Sequence, residues 1–173
     1  MDTPVKSEMG PIYRFLAADH ARLDALLQRA FANPNQIDLE SYGQFRAGLL
    51  RHIAMEEKIL LPAAQKARGG EPLQIAAKLR LDHGGLAALL VPPPSAAIAA
   101  SLRAILAAHN PLEEGPDGLY PTCEALLAGE SGDIVARLKS APEVKLAPFN
   151  DGPQVMESAR RALARAGHEL KEV

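Results

Sequence analysis

The stretch RHIAMEEKILLP (51–62) decides the fold, because it recurs as AHNPLEEGPDGLYP (108–121). Each copy reads His, three residues, Glu-Glu, a short apolar patch and Pro; the second carries a two-residue insertion after the glutamates. The repeat extends upstream. DHARLDALL (19–27) precedes the first copy and DHGGLAALL (82–90) the second. Each half is thus an Asp-His segment followed by a segment bearing His-x-x-x-Glu. The spacings differ: 32 residues separate His20 from His52, and 26 separate His83 from His109.

Helical periodicity surrounds both halves. Phe15, Leu16, Leu23, Leu26, Leu27 and Ala30 fall mostly three or four apart and mark a first helix from Pro11, stopped by Asn-Pro-Asn at 33–35. Asp38 is the expected N-cap of a second helix reaching about Ala67, with Pro62 expected to kink or end it locally. A third helix fits 72–91, before Val-Pro-Pro-Pro-Ser. Ser95 caps a fourth that runs into the second Glu-Glu motif, where Pro111 is a second candidate kink. Gly-Pro-Asp-Gly at 115–118 predicts a distorted segment before helix resumes through Leu119. Four long helices with short connections predict an all-α, antiparallel up-down-up-down four-helix bundle over residues 11–129. Residues 130–173 read as a C-terminal appendage with one amphipathic helix at QVMESARRALARAGHEL, and residues 1–10 as a polar, frayed end.

Composition agrees with this plan. Apolar residues make up 47% of the 173-residue chain and aromatics only 4%, with no Trp, so the core must be built from Leu, Ala, Ile and Val. A net charge of −2 without a dense basic cluster leaves no electrostatic footprint for nucleic acid. The longest apolar stretch, GGLAALLVPPPSAAIAASL, is interrupted by three prolines and is not a single membrane-spanning helix. Cys123 alone excludes an internal disulfide. With no apolar leader in MDTPVKSEMG, a cytoplasmic protein is expected.

The histidines carry the chemistry. Residues four apart share a helix face, so His52 and Glu56 point together, as do His109 and Glu113. Apolar neighbours at helical spacing turn the histidines inward: Leu16 and Leu23 around His20, Leu49 and Ile53 around His52, Leu79 and Leu86 around His83. His20, His52, His83 and His109 with Glu56 and Glu113 then converge in an apolar interior. Unsatisfied polar groups there cost about 1–3 kcal/mol each. A pair of metal ions removes that cost, and imidazole with carboxylate suits Fe, Mn or Zn equally. Glu114 is the alternative to Glu113 beside the insertion. Glu57 and Glu114 are expected to be solvated or to support a ligand from behind rather than bind, Asp19 and Asp82 to be mainly solvated, Tyr120 and Cys123 to pack in the core, and His168 to lie at the surface.

The combined pattern His20, His52-x-x-x-Glu56, His83, His109-x-x-x-Glu113, with Asn110 and Leu119-Tyr120-Pro121, resembles the hemerythrin-like (HHE cation-binding) domain family over about residues 11–128. The resemblance implies a non-haem di-iron centre, oxo or hydroxo bridged, with the four histidines as terminal ligands and Glu56 and Glu113 as bridges. Oxygen-carrying members hold a further His one turn from His83, where this chain has Leu79 and Ala87. The symmetric four-His, two-Glu set is similar to bacterial members tied to iron-sulfur repair, nitric oxide, redox stress or iron and oxygen sensing. Expected partners are therefore O2, NO or peroxide, with homo-oligomerisation open. An enzyme at the dimetal centre and a protein-interaction module remain the alternative classes.

Overall fold

The computed structural model describes residues 9–173 and is all-helical, with no strand among the described residues. The frayed end expected for residues 1–10 lies, for residues 1–8, outside the described residues.

Helix α1 (Pro11–Ala30) starts on a proline in its first turn, where a missing N–H costs nothing. It buries Ile12, Leu16, His20, Leu23, Leu27 and Ala30, one stripe at spacings of three and four. Helix α2 (Leu39–Met55) is capped as expected: the Ser41 N–H donates to Asp38 at 3.1 Å. It buries Tyr42, Phe45, Leu49 and His52 on one face.

Pro62 does not end the second helix. The helix widens instead into a π turn (Glu56–Leu60), in which the Leu61 N–H reaches back five residues to the Glu56 carbonyl. Helix α3 (Leu61–Ala67) then begins with the proline in its first turn. The Glu-Glu pair opens this turn, and π turns are frequent at functional sites.

Helix α4 (Ala76–Leu89) starts later than the expected residue 72, because 73–75 form a turn whose Leu73 carbonyl accepts from Ala76. Helix α5 (Ala96–Glu114) is capped by Ser95, which accepts from the Ile98 N–H at 3.2 Å, and runs through Pro111 without a break. Pro111 has no N–H to give the Ala107 carbonyl, and Ala107 lies on the exposed side of the helix, where such a loss costs least.

The Gly-Pro-Asp-Gly insertion closes a tight turn over the end of α5. Gly115 N–H donates to Pro111 O at 2.9 Å and Gly118 N–H to Gly115 O at 2.8 Å. A Cβ on Gly118 would stand 2.6 Å from the Glu113 carbonyl oxygen, so this approach requires glycine. The insertion therefore leaves Glu113 helical and buried. Helix α6 (Leu119–Leu126) follows at once and packs on α1 and α5.

Two apolar clusters result. One joins Ile12, Leu16, Met55, Leu60, Leu79 and Leu119; the other joins Leu23, Leu27, Phe45, Leu86, Leu102 and Ile105. The four inward histidines fall in sequence between members of the two, as His20 does between Leu16 and Leu23.

The C-terminal segment packs on this frame. Helix α7 (Ser131–Lys139) adds Ile134 and Leu138 to the first cluster. Residues 141–152 form neither helix nor strand and are held where Asn150 N–H donates to Val91 O at 3.0 Å and where the Arg46 guanidinium lies 4.2 Å from the centre of the Phe149 ring. Helix α8 (Pro153–Ala166) packs extensively on α4 and buries Ala159 and Leu163 in the second cluster. It ends at Gly167 (φ 81°), with His168 N–H returning to the Leu163 carbonyl at 2.8 Å. Leu163→Ala is expected to cost about 2–4 kcal/mol, as for other fully buried leucines. Urea unfolding measures this; a loss below about 0.5 kcal/mol, usual for surface positions, would show that α8 is only loosely docked.

Candidate metal centre

His20, His52, Glu56 and Glu113 form one group of donor atoms within 4.8 Å of one another, and Glu56, His83, His109 and Glu113 form a second. All six residues are buried. The two glutamates are shared, and each offers one oxygen to each group. Glu56 Oε1 lies 3.2 Å from His52 Nε2, and its Oε2 lies 3.1 Å from His83 Nε2. Glu113 Oε2 lies 3.2 Å from His20 Nε2, and its Oε1 lies 2.9 Å from His109 Nε2. The six residues singled out in the sequence thus meet, and Glu113, not Glu114, faces inward.

Each histidine turns Nε2 inward and pairs Nδ1 with a carboxylate. The pairs are His52 with Asp19 at 2.8 Å, His83 with Glu57 at 2.8 Å, His109 with Asp82 at 3.0 Å and His20 with Glu114 at 2.7 Å. In every pair the acid comes from a neighbouring segment. Asp19 of α1 serves α2, Glu57 of the π turn serves α4, Asp82 of α4 serves α5, and Glu114 of α5 serves α1. The ring of partners closes on itself. It explains why the sequence doubles its acids as Asp-His and Glu-Glu: one residue faces the centre and its neighbour orients a histidine from the next segment.

The expectations for Asp19, Asp82, His168 and Tyr120 are corrected here. Asp19 and Asp82 are not solvated; Asp82 is 1% exposed. Its Oδ1 accepts from Lys78 Nζ at 2.5 Å and lies 2.9 Å from His168 Nε2. His168 is therefore tied to the histidine network rather than free at the surface. Glu57, 30% exposed, supports His83 from behind, which is one of the two roles expected of it. Tyr120 does more than pack. Its hydroxyl donates to Glu56 Oε1 at 2.6 Å and lies 3.1 Å from Glu113 Oε2, His20 Nε2 and His52 Nε2. Cys123 is buried as expected, its thiol pushed up to about 12 by burial and the nearby Glu56.

Three donor atoms at the second group lack an aligned hydrogen bond: Glu56 Oε2, His83 Nε2 and Glu113 Oε1. They approach one another closely but out of line, an arrangement that costs free energy unless a cation lies among them. Without one, protons take its place. Burial opposes a charge on His52, but Glu56, Asp19 and Glu113 together raise it to about 10. Burial is likewise outweighed at His83, raised to about 10 by Glu113, Glu56 and Glu57, and at His109, raised to about 9 by Asp82 and Glu113. Glu113 is held well below the usual carboxylate range: burial opposes this, and His109, His20 and His83 outweigh it. Burial and both glutamates keep the Tyr120 phenol neutral. Four imidazoles and two carboxylates, each carboxylate spanning both groups, fit a pair of borderline metal ions.

A helical protein with two buried His/carboxylate groups sharing their glutamates is a cation-binding class of bundle. The hemerythrin HHE cation-binding domain model matches residues 11–123, and the chain belongs to that family. Neither a curated protein nor a solved structure gives a significant match. No helix among the described residues is long and apolar enough to cross a membrane.

The carboxylate partners of the histidines should matter measurably. Asp19→Asn keeps the shape but removes the charge that orients His52 and strengthens it as a donor. It is expected to weaken metal binding about 10–100-fold, read by competition with a chelator; unchanged affinity would make the pair merely structural.

Proposed function

We propose that the protein holds two non-haem iron ions, one among His20, His52, Glu56 and Glu113 and one among His83, His109, Glu56 and Glu113, and uses them to bind or sense O2, NO or peroxide. The observation that carries the reading is the paired reach of Glu56 and Glu113, each with one oxygen toward each histidine pair. Iron bound there supplies redox and Lewis-acid chemistry. The chain's own part is to hold it. The four Nδ1–carboxylate pairs fix the imidazoles, and the two apolar clusters keep bulk water out.

Access for a small ligand is supported by a cavity of about 300 Å³ between α1 and α5, lined by His20, Leu23, Leu27, Arg103, Leu106 and Asn110. Its mainly apolar wall suits a diatomic molecule better than a charged metabolite. We assign the metal-holding unit to residues 11–129 as an antiparallel four-helix bundle, with residues 130–173 as an extension packed upon it. A single buried thiol accords with a reducing cytoplasm.

Elemental analysis of anaerobically purified protein tests the reading. About two irons per chain, with optical bands that change on adding NO, are expected of a site with this donor set. A folded protein that takes up no iron from Fe(II) overturns it.

A further inference from the structure

Tyr120 breaks the symmetry of the centre. In the internal repeat, Leu-Leu-Pro at 60–62 corresponds to Leu-Tyr-Pro at 119–121, so Leu61 stands where the second half has Tyr120. Leu61 is buried in an apolar cluster. Tyr120 is also wholly buried, but it carries a hydroxyl to the centre because the Gly115–Gly118 turn starts α6 directly beneath the end of α5.

The hydroxyl's distances are specific. It lies 2.6 Å from Glu56 Oε1 and 3.1 Å from each of Glu113 Oε2, His20 Nε2 and His52 Nε2. Those are the donor atoms of one group. Two of its edges, His20–Glu113 and His52–Glu56, measure 3.2 Å. Donors at right angles around an ion with bonds of about 2.1 Å stand about 3.0 Å apart. The phenolic oxygen therefore keeps the spacing of a neighbouring donor to all four atoms at once. A hydroxyl serving only as a hydrogen-bond donor needs one acceptor, not close approach to two carboxylates and two imidazoles together. Among the described residues no further His, Cys, Asp or Glu joins the His83–His109 group, the Tyr120 hydroxyl bonds to neither of its histidines, and the group holds the three unaligned atoms.

We propose that Tyr120 is a fifth protein donor, through its phenolic oxygen, to the ion held by His20, His52, Glu56 and Glu113. This rests on the two-ion reading above. It makes the two positions unequal, the second lacking the tyrosine.

The test loads the full chain with Fe(II) anaerobically and oxidises it with ferricyanide, one electron passing from each Fe(II) to one ferricyanide. As the iron–oxygen bond forms, the phenol's proton passes to the buffer. A visible phenolate-to-iron(III) charge-transfer band is expected, with tyrosine ring modes enhanced in resonance Raman. Tyr120→Phe should lose both and keep about two irons per chain, since four histidines and two glutamates remain. Tyr13→Phe and Tyr42→Phe should keep the band, which assigns it among the three tyrosines even if the Tyr120 variant folds poorly. Two irons without tyrosine modes, or a band that survives in Tyr120→Phe, overturns the fifth donor and leaves the two-ion reading standing. A wild-type chain that takes up no iron overturns both.

Discussion

Glu113→Ala should lower the iron content from about two per chain to less than one and weaken what remains by more than the ~10–100-fold expected for an orienting residue. The reason is the number of groups that depend on this one side chain. Glu113 is fully buried and lies 3.2 Å from His20, 2.9 Å from His109, 3.6 Å from His83 and 3.1 Å from the Tyr120 hydroxyl. Its removal takes one oxygen from each of the two donor groups. In the metal-free protein it also takes away the negative charge that supports protonated histidines. Breaking a buried ion pair in this way typically costs about 3–5 kcal/mol, although a histidine that gives up its proton limits the loss. Glu113→Gln separates the two effects, because the amide keeps the shape and the hydrogen bond but not the charge. Chelator competition and thermal melts of both variants, with and without iron, check the result. Wild-type loading in Glu113→Ala would remove it from the ligand set.

Much of this arrangement is legible in the sequence, and the gaps have physical causes. The stripe from Ile12 to Ala30 and the caps at Asp38 and Ser95 are local features, set by helical period and by orphan N–H groups near short polar side chains. The His-x-x-x-Glu pairs are local too, since four residues bring both side chains to one face. The acid–histidine ring is not local. Adjacent residues on a helix point about 100° apart, so Asp19 cannot orient His20, and in a single-helix view it looks solvent-facing. Its partner, His52, becomes visible only when α2 is laid beside α1. Tyr120 fails for a related reason. Its direction depends on how tightly Gly118 folds against the Glu113 carbonyl, which the sequence marks as a break without giving its path. Pro62 announces a disturbance, but the choice between a kink and a π turn rests on the packing of Glu56 and Leu60, both wholly buried. The final helix shows its apolar stripe at Ala159, Ala162, Leu163 and Ala166, but the stripe does not say that Gly85 of α4 receives Leu163.

Metal uptake should release on the order of three to four protons per chain near pH 7.5, and the metal-free protein should lose stability as pH rises. In the metal-free fold His52 and His83 are raised to about 10 and His109 to about 9, with His20 also raised. An unfolded histidine titrates near pH 6.5. Between those values the folded chain binds more protons than the unfolded one, so stability falls with increasing pH. The histidine contribution is complete below about pH 6.5 and is lost as pH passes the raised values. The carboxylates act in the opposite direction: Asp19, Asp82, Glu56 and Glu113 are all lowered, so their contribution is present above the usual carboxylate range and lost on acidification. Metal-free stability should therefore peak at mildly acid pH, between about 4.5 and 6.5. Loaded protein should behave in reverse on the acid side, because ligating imidazoles are neutral and protons compete with the metal. Stabilisation by metal should consequently be larger at pH 8 than at pH 6. Titration calorimetry in two buffers of different ionisation enthalpy counts the protons, and melts across pH give the stability profile. Uptake that releases no protons would mean that the buried histidines are already neutral, and that the ring of carboxylates orients them without charging them.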